Sequence, residues 1–166
     1  MNCKNEKILL LRLHNIITMK FIVIIAFLMS SNIYAQNSMS LDEIILQNKG
    51  RVVLVDYWAS WCKPCRAAMK HLPKLKEKYK GKEITYVFIS MDIQKDAWQA
   101  ASIKEGIDKE EYNVMSPYMK KSNTYNIEIN AIPRYLIFSK EGKLVNDNAP
   151  IDTKKLQKEI DKYITN

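Results

Sequence analysis

Val52-Val53-Leu54-Val55-Asp56-Tyr57-Trp58-Ala59-Ser60-Trp61-Cys62-Lys63-Pro64-Cys65 is the stretch that decides the fold. Its first four residues are apolar at consecutive positions and three of them are β-branched, the pattern of a strand covered by helices on both faces. From Cys62 to about Tyr79 the apolar spacing turns helical, until Gly81 stops it, with Pro73 expected to kink that helix. Two thiols therefore stand where a buried strand hands over to a helix. Cysteines three apart in a first helical turn lie on one face, close enough to bridge without distorting the backbone. The unpaired N–H groups of a helix start also favour a thiolate. Cys62 is thus the candidate nucleophile and Cys65 its resolving partner.

Outward from this stretch the elements alternate. Ser40-Leu41-Asp42-Glu43 has the S-x-x-E form of a capping box, followed by Ile44 and Ile45 at helical spacing, so a short helix should end near Lys49-Gly50. Ile84 to Met91 reads as a second buried strand and Lys95 to Glu105 as a helix, which completes a βαβ unit. Gly106 to Ile129 is the least patterned part; Tyr118 and Met119 with Tyr125 suggest a short helix there. Tyr135-Leu136-Ile137-Phe138, a turn at Ser139-Lys140-Glu141-Gly142, and Leu144-Val145 read as an antiparallel hairpin. Asp152 or Thr153 should cap a last helix on which Leu156, Ile160 and Tyr163 share a face.

At the other end, Phe21 to Met29 is an unbroken apolar run, preceded by Lys20 and followed by Ser30-Ser31-Asn32 and Ile33-Tyr34-Ala35-Gln36. The run is short for a membrane span, and the whole reads as a signal peptide over residues 1–35, cleaved after Ala35. Met19-Lys20 makes a compact start for such a leader, so translation is expected to begin at Met19. Cleavage leaves one domain, 36–166, within the size that buries a core of its own. The expected location is export, to the periplasm, with a mature protein that is not integral to a membrane. The full chain has a net charge of +8; loss of four basic residues and one acidic residue with the leader brings it to +5. Much of that excess lies in Lys74, Lys76, Lys78, Lys80 and Lys82, around Leu75 and Tyr79, as expected of a solvated helix face. No basic-aromatic module of a nucleic-acid binder is present, so no nucleic-acid partner is expected.

The segment Val53 to Arg66 closely resembles the active-site segment of the thioredoxin family. Ile132-Pro133 before a strand resembles that family's cis-proline, and Lys140-Glu141-Gly142-Lys143 its terminal hairpin. The leader and the long insertion ahead of Pro133 make the chain similar to exported TlpA-like thiol-disulfide oxidoreductases. The resemblance implies an α/β thioredoxin fold: a central mixed β-sheet flanked by helices, with an insertion between the βαβ unit and the C-terminal β-hairpin and helix. It implies a protein thiol-disulfide oxidoreductase acting on protein disulfide or dithiol substrates. By the same resemblance Cys62 is the exposed attacking thiol, Cys65 the buried resolving thiol, and Pro133 a cis residue facing the pair. Ile132 would offer backbone groups to an extended substrate. Asp56, six residues before Cys62, matches the family's buried acid, which should have a raised pKa and exchange a proton with Cys65. Its alternative is an acid satisfied by backbone hydrogen bonds at a strand end. Lys63 would favour the thiolate, Pro64 would stiffen the loop, and Trp61 would shield the site or simply pack in the core. The family's proline five residues after the second cysteine is Lys70 here, with Pro73 a turn later, which displaces the kink.

Potentials in this fold run from about −270 to about −120 mV. Pro64 and Asp56 resemble the reducing end, and TlpA-like relatives are commonly reductants fed by a membrane electron carrier, so a reductase is expected, with an oxidase or isomerase as the alternative. No cofactor beyond the redox-active Cys62–Cys65 disulfide is expected. Zinc needs more ligands than the two mature cysteines and His71 supply, and on a continuous helix His71 would point about 180° away from Cys62. A copper-binding chaperone of this fold, the non-catalytic alternative, would need a wider cysteine spacing and a distal histidine, and none follows His71. A peroxiredoxin would need a proline and a hydroxyl ahead of its cysteine in an arrangement that Ala59-Ser60-Trp61 lacks.

Overall fold

The computed structural model describes residues 39–164. The expected leader, its cleavage after Ala35 and the start at Met19 lie outside the described residues. Helix α1 (Leu41–Gln47) begins at Ser40, whose hydroxyl accepts from Glu43 N–H while the Glu43 carboxylate accepts from Ser40 N–H, the reciprocal pair that the S-x-x-E spacing predicts. Then follow β1 (Val52–Trp58), α2 (Lys63–Met69), α3 (Leu72–Lys78), β2 (Ile84–Ser90), α4 (Lys95–Glu105) and β3 (Tyr112–Met115). A 3-10 turn (Ser116–Tyr118), β4 (Arg134–Phe138), β5 (Leu144–Ala149) and α5 (Thr153–Ile164) complete the order.

The five strands form one mixed sheet, β3-β2-β1-β4-β5. β1 runs parallel to β2 and antiparallel to β4, with Asp56 opposite both Phe88 and Tyr135. All seven residues of β1 are buried, because elements cover both faces. On one face Val53, Val55 and Tyr57 pack with Val87, Ile89, Leu136 and Phe138 against Leu41, Ile44 and Ile45 of α1. On the other, Val52 and Leu54 pack against Leu75 of α3 and Leu156 and Ile160 of α5, and Trp58 and Phe88 pack against Cys65 and Met69 of α2 and Ala101 of α4. α5 starts at Asp152, whose carboxylate accepts from Lys155 N–H, and Tyr163 joins Leu156 and Ile160 at the core, as the spacing predicts.

Three expectations change. The helix expected from Cys62 to Tyr79 is two helices, broken at Lys70-His71 ahead of Pro73. Pro73 sits in the first turn of α3, where its missing N–H has no partner to lose, so the chain breaks before it and is not kinked at it. The short helix expected with Tyr118, Met119 and Tyr125 is only a 3-10 turn that ends at Tyr118, and no helix runs on to Tyr125. The insertion instead contributes β3, parallel to β2, and then runs without regular structure over the α1 face, where Met119, Tyr125, Ile127 and Ile129 cover the core. It is tied near its middle: the Asp42 carboxylate accepts from Ser122 Oγ (2.8 Å) and Asn123 N–H (2.6 Å), and Tyr125 donates to Gly142 O (2.6 Å). Third, the last strand continues past Leu144-Val145 to Ala149, irregularly paired with β4.

Candidate active site

β1 ends at Trp58, which is fully buried, and the next residues turn towards α2. Two hydrogen bonds shape that turn: Met91 N–H to Trp58 O (2.8 Å) and Cys62 N–H to Ala59 O (3.1 Å). Cys62 is the N-cap of α2 with extended backbone, and its sulfur accepts from Cys65 N–H at 3.3 Å. Cys62 and Cys65 form a disulfide, their Cα atoms 5.3 Å apart. Pro64 lies in the first turn, where a missing N–H breaks no helical bond. Pro64 and Lys63 are both exposed.

The resemblance implies an exposed Cys62, but the residue is only 4% exposed and Cys65 1%. Both sulfurs sit in an apolar cluster with Trp58, Ala59, Met69 and Phe88, onto which Ile132 packs from the side. Ile132, which packs on that cluster, precedes Pro133 through a cis peptide bond. Trp61 stands out, 67% exposed, which excludes a core-packing role for it.

Asp56 lies on the same sheet face as Trp58 and Leu54, 5% exposed, and its Oδ1 has no hydrogen-bond partner. It is not an acid satisfied by backbone groups at both oxygens. Burial pushes its carboxyl up to about 8, because an unpartnered charge loses hydration that nothing replaces. Beside it opens a narrow pocket lined by Met69, Leu72, Tyr86, Phe88 and Tyr135. The Tyr86 hydroxyl and Trp58 Nε1, on the same face, are likewise buried without a partner. Burial, and then the nearby Asp56 charge, push the Tyr135 phenol up. His71 lines the pocket too, but it is an exposed residue in the break between α2 and α3. The continuous helix on which its 180° offset was reckoned does not exist. Among the described residues no group of three or more His, Cys, Asp or Glu side chains is arranged to hold a metal ion.

Two features of the site escape a reading of the sequence. Asp92, 2% exposed, lies just past β2, and its carboxylate accepts from Ser60 N–H (2.8 Å), Ser60 Oγ (2.6 Å) and Ser90 Oγ (2.6 Å). It clamps the loop that carries Trp61 and Cys62 onto the end of the neighbouring strand. Arg66 of α2 donates to Glu105 at the end of α4 (2.7 Å), which braces the cysteine helix from the side. The only signal for Asp92 is a Ser-x-Asp closing a buried strand; its partner Ser60 is 32 residues away.

The chain is similar to known proteins. The thioredoxin-like family profile matches residues 50–144. A thioredoxin of Coprinus comatus is 35% identical over 66 residues, which is 39% of this chain and 62% of that protein. The thiol-disulfide oxidoreductase ResA of Bacillus cereus is 27% identical over 100 residues, 58% of this chain and 54% of ResA. The chain thus spans between half and two thirds of these two curated relatives. Among solved structures, the thioredoxin domain of a thiol-disulfide oxidoreductase from Bacteroides vulgatus superposes with a TM-score of 0.59, at 22% identity, over 76% of this chain and 90% of that one, and shares its fold. With the family profile running from before β1 into β5 and the strand order and disulfide in place, this chain belongs to the thioredoxin-like family.

Proposed function

We propose that the protein is an exported thiol-disulfide oxidoreductase that reduces disulfides in protein substrates. One observation carries the reading: a Cys62–Cys65 disulfide in the first turn of α2, with Ile132 and the cis Pro133 turn packed against it. A disulfide placed there can be opened and closed without moving the fold. The reaction begins when a donor dithiol takes over the disulfide, passing two electrons to Cys62 and Cys65. The Cys62 thiolate then attacks a substrate disulfide; one substrate sulfur leaves as thiolate and Cys62 is joined to the other. Cys65 gives its proton to the Asp56 carboxylate and attacks the Cys62 sulfur. The second substrate sulfur leaves, and the Cys62–Cys65 bond is restored. Cys65 N–H, which donates to the Cys62 sulfur, favours the thiolate form, and exposed Lys63 adds positive charge. The reducing direction rests on Pro64 and Asp56.

In the same reading residues 1–35 are a cleaved export signal, with translation from Met19; residues 36–166 form the working domain, and a membrane carrier is the electron donor. No helix among the described residues is long and apolar enough to cross a membrane. The test is insulin reduction with dithiothreitol, beside a Cys65→Ser variant. Wild type should accelerate insulin precipitation and the variant should accumulate Cys62-linked mixed disulfides in cells; absence of both overturns the activity. A measured potential near the oxidising end would reverse the direction, and tight copper binding without turnover would favour the chaperone alternative.

A further inference from the structure

Two lysine-rich stretches, far apart in the chain, stand side by side in the fold. α3 and α5 lie on the same face of the sheet, where Leu75 and Tyr79 pack with Leu156 and Ile160 over Val52 and Leu54 at the start of β1. Polar contacts close the seam between the two helices: Lys78 Nζ donates to Asp161 (2.7 Å), and the Tyr79 hydroxyl meets Gln157 O (3.0 Å) and the Asp161 carboxylate (2.8 Å). Residues 70–82 and 152–163, the two helices with their flanking turns, hold ten lysines and four carboxylic acids, a net charge of +6. The rest of residues 39–164 hold twelve basic and thirteen acidic side chains, a net charge of −1. The whole positive excess of the described residues therefore belongs to one face.

These charges are turned away from the core. At 100° per residue Lys154 and Lys158 stand about 160° around α5 from buried Leu156, and Lys74 about 100° around α3 from buried Leu75. Lys70, Lys74, Lys82, Lys154, Lys155 and Lys158 are exposed, and none of them has a carboxylate partner among the described residues. Like charges gathered without counterions repel one another, a cost that an anionic partner removes. The residue types narrow that partner. All ten cations are lysine, while Arg51, Arg66 and Arg134 lie elsewhere. Lysine is a mobile point charge suited to a diffuse anionic surface, whereas a defined carboxylate or phosphate site draws on the bidentate arginine fork. A protein interface would want aromatic or arginine anchors and a nucleic acid would want stacking platforms. The two stretches expose no large apolar side chain, Ile151 lying just ahead of α5.

We propose that the α3–α5 face docks the protein on an anionic phospholipid bilayer, its lysine ammoniums set against the headgroup phosphates. The cysteine turn follows the other end of β1, so it stays uncovered when this face is occupied. The inference goes beyond the redox reading and needs none of it, because neither cysteine lies on this face.

The experiment is sedimentation of the full chain with vesicles of phosphatidylcholine alone, or with about 30% phosphatidylglycerol, at low salt and at about 0.5 M NaCl. Wild type should partition about tenfold more strongly onto the anionic vesicles, and high salt should abolish the excess. The triple variant Lys74→Gln/Lys154→Gln/Lys158→Gln should weaken anionic binding about a hundredfold. Lys49→Gln/Lys121→Gln/Lys143→Gln removes the same charge from other parts of the surface and should weaken it no more than about threefold. Residues before 39 are the same in all three proteins, so the differences report on the face. Far-UV circular dichroism and insulin reduction in solution should be alike in all three; wild type that fails to reduce insulin sinks the redox reading and leaves the vesicle result standing. No excess on anionic vesicles at low salt overturns the proposal, as does an equal loss in both triple variants, since net charge alone would then explain it. Tighter binding to duplex DNA than to the vesicles, lost in the first triple variant, makes nucleic acid the occupant and overturns it too.

Discussion

Asp56, near the end of β1, and Asp92, just past the end of β2, are two carboxylates on neighbouring strands with almost the same burial and opposite surroundings. Asp92 accepts three hydrogen bonds from serine groups, whereas Asp56 has an oxygen with no partner and a carboxyl pushed up to about 8. The difference teaches how one fold uses the same side chain twice. A buried acid with all its donors in place is a fastener whose charge is absorbed by N–H and O–H dipoles. A buried acid without them stays neutral near pH 7, which suits it to the proton-exchange role proposed for Asp56.

The sharpest way to break this comparison is stability against pH. The unfolded Asp56 carboxyl titrates near 4 and the native one near 8, so between those values the native protein holds a proton that the unfolded chain has released. Wild-type stability therefore loses this contribution as pH rises from about 4 to about 8, and nothing further is lost above. Asp56→Asn removes the titration and should gain up to about 4 kcal/mol at pH 7, a gain that shrinks towards zero at pH 4. Urea unfolding of both proteins across that range checks it; a pH-independent difference would refute the neutral buried acid. At Asp92 the sign should reverse. Asp92→Ala leaves Ser60 and Ser90 donors unpaired in the interior and should cost about 3 kcal/mol in the same urea titration at pH 7. A stabilising Asp92 variant would erase the distinction between the two acids.

The kinetic arm is next in size. If Asp56 takes the Cys65 proton as proposed above, the rate of the resolving step should rise with pH to a plateau above about 8, and Asp56→Asn should slow it by about a hundredfold at the plateau and flatten the profile. Stopped-flow decay of a Cys62 mixed disulfide reads this directly. The smallest effect sharpens the Asp92 side: Ser90→Ala removes one of three donors and should cost about 1 kcal/mol, with the remaining two holding the loop.

Where local pattern and chemistry coincide, the sequence is enough to read the molecule. Val52 to Val55 are continuously apolar because helices lie on both sides of β1, and the cysteine spacing matches one helical turn. The break at Lys70-His71 is harder, since Pro73 signals a disturbance without saying whether the chain bends at it or stops before it. β3 is missed because it is four residues long, lies at the sheet edge and carries Asn113 in its middle, so it shows neither a run nor a full alternation. Asp92 is missed for a different reason. Its meaning lies in the loop it touches, and contact across 32 residues leaves no periodicity to read. Asp56 is placed by resemblance, but its lack of a partner belongs to the packed interior and to no single stretch of chain.

The insertion after β3 has no ladder of its own, yet Asp42 grips it at Ser122 and Asn123, and two residues on the Gly142 carbonyl receives Tyr125. It acts as a buckle: α1 and the β4–β5 turn, far apart in the chain, are fastened through a few residues of a segment without regular structure. Opening it would undo the link between α1 and the β4–β5 turn and uncover the part of the core that Met119, Tyr125, Ile127 and Ile129 close, on the sheet face opposite the one that carries the sulfurs.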